Sequence, residues 1–345
     1  MASSTQSPQR DVIRLGERVK GESLWQNSLK RLLSNRMAVL GIIIIILFVL
    51  IALFADFVAP YSYDKTSLTN ANQSPAWVSA VFPSMIPVGQ ERGYVKINEN
   101  FPLGTDKLGR DLLSRILYGS RVSLMVAMIG PLVALTVGVT LGLISGYIGG
   151  RVDNMIMRIT DVVYAFPTLL FIILLMAFFR PSTGTLEEGT FAHSLNRFDA
   201  STGGMFFIFV GIGVTNWTGM ARLTRGQVLS IREQEYVVAA KALGVKNGGI
   251  MLRHVLPNIL GPIIVAETLA IPVYISTEAF LSFIGLGVNP PTPSWGSMIS
   301  AGAEQLASYP SQAIFPAVAL FLFMFAFNFL GDGLRDALDP RMRGR

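Results

Sequence analysis

The sequence reads as an all-α integral membrane protein with six transmembrane helices and both termini in the cytoplasm. Three observations carry that reading. Of the 345 residues, 51% are hydrophobic and 14% charged, where soluble domains hold about 25% charged residues. Residues 37–55 run for 19 positions with neither charge nor proline. At about 1.5 Å per residue such a helix reaches roughly 28 Å, close to the bilayer's hydrocarbon core of about 30 Å. Basic residues, finally, gather in the segments that alternate crossings would leave on one side.

Residues 1–36 are expected to form a cytoplasmic segment. Arg10, Arg14, Arg18, Lys20, Lys30, Arg31 and Arg36 precede the first span, and the positive-inside rule retains them in the cytoplasm. The first transmembrane helix occupies 37–58. Up to position 55 it holds 14 Leu, Ile, Val or Phe residues, together worth about 6 kcal/mol of insertion free energy. A polar stretch ahead of it, and no small-x-small site in ADFVAPYS, argue against a cleaved signal peptide. Residues 59–120 make an extracytoplasmic loop with an interfacial helix, and its polar 62–100 portion offers no readable chemistry. In LGTDKLGRDLLSRILYGSRVSL (103–124), Asp106, Arg110, Asp111 and Arg115 are spaced to pair along a short helix. Leu112, Leu113, Ile116 and Leu117 would then lie on the membrane surface.

Five more spans, at about 122–146, 157–179, 204–221, 258–281 and 313–331, fill a transmembrane domain over 121–331. Gly149-Gly150 gives a tight inside turn, with Asp153, Arg158 and Asp161 placed to form ion pairs at the membrane edge. Trp217, Arg222, Arg225 and Gln227 mark where the fourth span leaves the membrane, and the arginines there snorkel toward headgroups by default. Glu267 and Glu278 lie in or near the fifth span. A carboxylate at mid-bilayer costs on the order of 3 kcal/mol, so each needs a partner, a cavity or a water path. Asn216 and Asn328 are amides of the kind that join helices or line a path. Residues 332–345 form a cytoplasmic tail whose arginines agree with the N-terminal ones.

The most informative stretch is EYVVAAKALGVKNGGIMLRHVLP (235–257), polar and basic between two apolar spans, inside a cytoplasmic loop over 222–257. Tyr236, Val237, Ala240, Leu243 and Val245 keep roughly helical spacing and predict one apolar stripe. Ala239, Ala240 and Ala242 would let a partner approach the backbone. Gly244 offers the left-handed position that ends such a helix. Asn247-Gly248-Gly249 allows a turn, and 250–256 reads as a second helix stopped by Pro257. A solvated amphipathic linker would show the same spacing.

This stretch resembles the cytoplasmic coupling loop of permease subunits in ABC importers, with its Gly and its Leu256-Pro257 at fixed separation. The general pattern has Glu where this chain has Val238 and an aliphatic residue where it has His254, departures that resemble the peptide-importer branch. The segments at 103–124, 146–167 (GYIGGRVDNMIMRITDVVYAFP), 281–299 (LSFIGLGVNPPTPSWGSMI) and 328–341 (NFLGDGLRDALDPR) are similar to that branch too. In all, the likeness covers about 30–60 and 101–341. The chain therefore resembles the second, C-type permease subunit of an oligopeptide or dipeptide ABC importer. That resemblance implies the type I importer permease fold and a cytoplasmic membrane of bacteria or archaea. It also implies a heterodimer with a similar permease, two cytoplasmic ATPases and an extracytoplasmic substrate-binding protein. It assigns Tyr236, Val237, Ala239, Ala240, Leu243, Gly244, Leu256 and Pro257 to ATPase coupling. Asn216, Glu267, Glu278 and Asn328 are the candidates for the translocation path.

What is missing narrows the chemistry. No G-x-x-x-x-G-K-[ST] motif occurs, so ATP and magnesium are expected on partner subunits and no cofactor in this chain. His193 and His254 are the only histidines and there is no cysteine, which leaves no zinc or haem set and no disulfide. A basic balance of +6 reflects topology rather than nucleic acid. An importer of nickel or another small solute is the nearest alternative. A stand-alone secondary transporter would need inverted repeats and midplane carboxylates, and only Glu267 looks like one.

Overall fold

A computed structural model describes residues 24–180 and 190–338. Among these the regular structure is helical, with isolated β-bridges only. The basic residues at 10–20 and the tail from 339 onward lie outside the described residues.

Helix α1 (Leu24–Ser34) turns into α2 (Arg36–Leu53) at Asn35, whose side chain accepts from the amides of Met37 and Ala38. Asn suits that N-cap because its oxygen satisfies amides with no partner in the first turn. After α3 (Ala55–Val58) the chain builds a lobe containing α4 (Ala76–Val81), with a small core of Val78, Met85 and Val95. Polar bonds tie the lobe together. Thr105 Oγ1 accepts from the Gln73 amide at 2.9 Å, and Gln312 donates to both Asn72 and the Thr105 carbonyl. The polar insertion at 62–100 is thus part of an ordered cap.

The expected interfacial helix within 103–124 is absent: the chain stays irregular to Asp111, and α5 (Leu112–Val133) is the span itself. Gly109 at φ +71° breaks any helix there, so Asp106 meets Arg110 at 2.7 Å and Arg115 at 3.8 Å from a loop. Asp111 instead caps α5 by accepting from Ser114, and burial pushes its carboxyl up despite those bonds. Leu112 and Ile116 enter the core beside Trp295 and Phe323 rather than the membrane surface.

A π-helical turn at 134–138 joins α5 to α6 (Val139–Ile148), and Gly149 and Gly150, both at positive φ, turn the chain into α7 (Gly150–Ala165). The third span is not the single crossing expected over 157–179. Pro167 holds Phe166 in extended backbone, and α8 (Thr168–Phe179) leaves α7 at 77°. Beyond α9 (Phe191–Ser201), α10 (Phe206–Ile231) extends well past the expected 204–221 span. Then come α11 (Glu235–Ala242) and α12 (Asn247–Ile250).

Pro257 does not stop the second short helix. The chain passes through a π-helical turn at 251–255 into α13 (Leu256–Phe283) without a break. A widened turn there supplies the room that a proline ring lacks in α-helix. Two helices complete the chain, α14 (Trp295–Ala303) and α15 (Ser311–Leu338). Among the described residues five helices are long and apolar enough to cross a bilayer, or six if the bent α7–α8 pair is one crossing.

Close approach organises the bundle. A Cβ on Gly138 would lie 2.6 Å from the Trp217 carbonyl, and one on Gly146 2.8 Å from Val228 Cβ. With Gly142 between them facing Ala221 and Thr224, these three glycines, four residues apart along the π-helical turn and α6, let α10 pack backbone to backbone, as small residues do in membranes. α1, α11 and the end of α15 gather at one end of the bundle, where Leu338 approaches Gly261. The lobe and α14 occupy the other.

Candidate functional site

α11 has two unlike faces. Val237 (2% exposed) and Ala240 (6%) pack with Ile250, Val255, Val228 and Ile259 in one buried cluster. Tyr236 (43%) and Leu243 (85%) stand outward, with Val238, Ala239, Ala242 and Val245 also exposed. The expected single stripe is therefore split. Val237 and Ala240 are the root that fixes α11 to α10 and α13, because a helix this short cannot hold itself in water. Burial raises the Tyr236 phenol.

Gly244, at φ +78°, ends α11 as expected, and its amide donates to Lys241 O at 3.0 Å while Val245 donates to Ala240 O at 3.1 Å. Nothing lies within 4 Å of where its Cβ would be. Leu256 is half-buried and Pro257 exposed at the start of α13. A cleft of about 440 Å³ beside α11 is lined by Tyr147, Arg232, Glu233, Val238, Lys241 and Asn247, among others.

Just inside α11, two ion pairs fasten α10 to α7. Arg225 makes two bonds to Asp153, each 2.6 Å, and Arg222 meets Asp161 at 2.7 Å while lying 4.1 Å over the Tyr164 ring. These arginines do not snorkel freely, and the aspartates pair across to α10 rather than with Arg158. Opposite charges at one membrane level were the available signal, but it names no partner until α7 and α10 are known to be neighbours. Sequence reasoning also missed Arg180, which binds Asp199 at 2.6 Å, the Gly287 carbonyl at 3.0 Å and the Gly204 carbonyl.

Deeper in the bundle, Asn216 and Glu267 line one cavity of about 250 Å³ between α10 and α13, with Gly219, Met220, Val273 and Tyr274 among its walls. Tyr274 donates to Glu267 Oε1 at 2.9 Å. Glu278 is elsewhere, 1% exposed beside α14, accepting from Ser282 at 2.6 Å. Asn328 is exposed on α15. The four polar candidates thus separate into one pair that shares a cavity and two that do not join it.

An ABC importer's membrane-spanning subunit has this fold. A chain titled "Inward facing conformations of the MetNI methionine ABC transporter" superposes with a TM-score of 0.51 at 15% identity, over 66% of this chain and 96% of that one. The chain belongs to the family described as the binding-protein-dependent transport system inner membrane component, whose model matches residues 138–344. Residues 23–75 match the N-terminal TM domain of oligopeptide transport permease C. Similar proteins include the oligopeptide transport system permease protein OppC of Bacillus subtilis, 39% identical over 94% of this chain and 92% of that protein. OppC of Escherichia coli K12 is also 39% identical, over 94% of each. The dipeptide transport system permease protein DppC of B. subtilis is 38% identical over 93% of this chain and 87% of its own length. The protein is therefore a multi-pass inner membrane permease subunit, of a family that lacks an ATPase site.

Proposed function

We propose that this permease carries peptides inward, supplying half of a translocation path and taking its driving force from cytoplasmic ATPases. The other half belongs to a similar permease, two ATPases hold the ATP and magnesium, and a separate extracytoplasmic protein delivers the solute. Support for peptides comes from relatives named for oligopeptide and dipeptide transport over nearly the whole chain. The observation that carries the coupling is α11: a short helix anchored by Val237 and Ala240 that leaves Tyr236, Ala239 and Leu243 unpartnered. In this reading α11, α1 and the end of α15 face the cytoplasm, Gly244 and the Leu256-Pro257 entry to α13 bound the docking element, and Asn216 and Glu267 border the path.

Stiffness is what the mechanism requires. Turning a 1:99 population of two states into 99:1 takes about 5.5 kcal/mol of differential binding, and a floppy loop would dissipate it. α11 is joined to α10 by a three-residue link and, across a four-residue turn at Gly244, to the unbroken helical run of α12 and α13, while the Asp153–Arg225 pair ties α10 to α7. A push on Leu243 thus moves three elements together.

Purification in mild detergent tests this directly, since two ATPases and a second permease should accompany the chain. With no cysteine in the sequence, Leu243→Cys should crosslink to an ATPase and Val237→Cys should not. Crosslinks from Val237→Cys alone, or to neither, would reject α11 as the docking element.

A further inference from the structure

In the cavity between α10 and α13 the polar donors are already used and acceptor capacity is left over. Glu267 is 4% exposed, and its one bond is the Tyr274 hydroxyl on Oε1 at 2.9 Å, which leaves Oε2 free of any partner among the described residues. Asn216 spends its NH2 group on the Ile212 carbonyl at 2.9 Å and on Thr215 Oγ1 at 3.3 Å. Its Oδ1 is left to the cavity that the residue lines. No lysine, arginine or histidine is among the lining residues. A carboxylate in a membrane pairs with a cation, or with water, or is neutralised; here the first is missing.

The mouth of the cavity is open and lined by small residues. Gly219 on its rim is exposed, with nothing within 4 Å of an added Cβ, and Gly226 two turns along α10 is the same. With Asn216 they make one face of small residues with a single polar side chain, at helical spacing. The rest of the lining is apolar, from Met220, Leu223, Ala266, Ala270 and Val273, as in sites where a few polar groups orient a ligand against a greasy wall.

We infer that the Glu267–Asn216 cavity is an acceptor site for the primary ammonium group of the passing solute, in a peptide its free N-terminus. The Tyr274 hydroxyl fixes the Glu267 carboxylate, Oε2 takes one ammonium N–H, and Asn216 Oδ1 can take a second. The apolar wall receives the first side chain. This deepens the reading of the cavity as part of the path and rests on it.

Two measurements on the assembled complex test it. The first needs no knowledge of the solute. In the cysteine-free chain, Gly219→Cys puts a thiol on the rim, and cationic and anionic methanethiosulfonates are compared by the mass shift of this subunit. The cationic reagent should react about tenfold faster, as expected of one charge-assisted contact, and Glu267→Gln should erase the preference. No reaction with either reagent, or a preference that survives Glu267→Gln, overturns the site.

The second compares uptake of one peptide with a free or an acetylated N-terminus. Glu267→Gln should reduce uptake of the free peptide, through KM, about tenfold more than it reduces uptake of the acetylated one. Equal loss for both, or no change, overturns the assignment. If Glu267→Gln fails to assemble, Asn216→Ala is read by the same comparisons. A wild-type complex that imports no peptide but retains the cation preference would sink the peptide reading and leave the ammonium site standing, so the two failures are distinct.

Discussion

α11 and α14 are both short helices that leave the bundle between two spans, yet they are held in opposite ways. α14 opens with a capping box at Ser294 and buries Trp295 completely against Phe48 and Phe323 in edge-to-face contacts. Its Gly302 lies so close to α15 that a Cβ would come within 2.5 Å of the Ala313 nitrogen. α11 has no side-chain cap, and its most exposed apolar residue, Leu243, is 85% open. A sealed helix is architecture. A helix with a buried root and a bare apolar face fits the docking role proposed for α11, and this contrast between the two ends of the bundle is what mutations should break or sharpen.

The largest effect belongs to the sealed end. Trp295→Ala removes an indole that fills the centre of its cluster and donates to the Ile116 carbonyl at 3.0 Å. The expected loss is about 3–5 kcal/mol, read as a lower thermal midpoint or reduced yield of folded complex in detergent. Wild-type stability in this variant would mean that α14 is not the fastening it looks to be.

Within α11 the two faces should part company. Val237→Ala empties part of the root and should destabilise by about 2 kcal/mol. Leu243→Ala is exposed and should stay within about 0.5 kcal/mol, while transport driven by ATP falls. Thermal unfolding beside a transport assay separates them, and similar losses of stability would show that both faces are buried in the isolated permease.

A smaller change tests the joint. A Cβ at Gly244 meets no atom within 4 Å, so the main cost of Gly244→Leu is the positive φ, about 1–2 kcal/mol. The complex should assemble yet move less solute per ATP, and Gly244→Asn, which tolerates that backbone region better, should recover part of the loss. Full coupling in Gly244→Leu would show that the angle of the joint is immaterial.

These regions also differed in how legible they were. The spans were readable because runs such as 37–55 state their environment residue by residue, and Gly244 was readable because a left-handed cap is a local property. The split of the stripe on α11 needs tertiary information. Val237 and Leu243 are equally apolar, and only the position of Val228 and Ile250 decides which of them turns inward. Pro257 looks like a stop in the sequence because the π-helical turn that accommodates it has no sequence signature. The Asp153–Arg225 and Asp161–Arg222 pairs link α7 to α10, so no window along the chain contains both partners. Asn216 and Glu267 each stand out by polarity alone; their sharing a cavity depends on how α10 and α13 lie against each other.

The smallest expected effect concerns an exposed pair at the sealed end. Asp56, just beyond α2, accepts from Arg121 at 2.8 Å and from the Tyr118 hydroxyl at 2.8 Å. The Arg121 bond, then the Tyr118 bond, hold its carboxyl below the usual aspartate range. A carboxylate lowered in the folded state adds stability above its unfolded pKa and loses it as pH falls through the folded one. Asp56→Asn should therefore differ from wild type at neutral pH by a small, salt-sensitive amount, and the two should converge in strong acid. Thermal midpoints against pH check it. Curves that stay parallel into acid would mean that Asp56 contributes through packing alone, and that the sealed end is held by its buried contacts without help from surface charge.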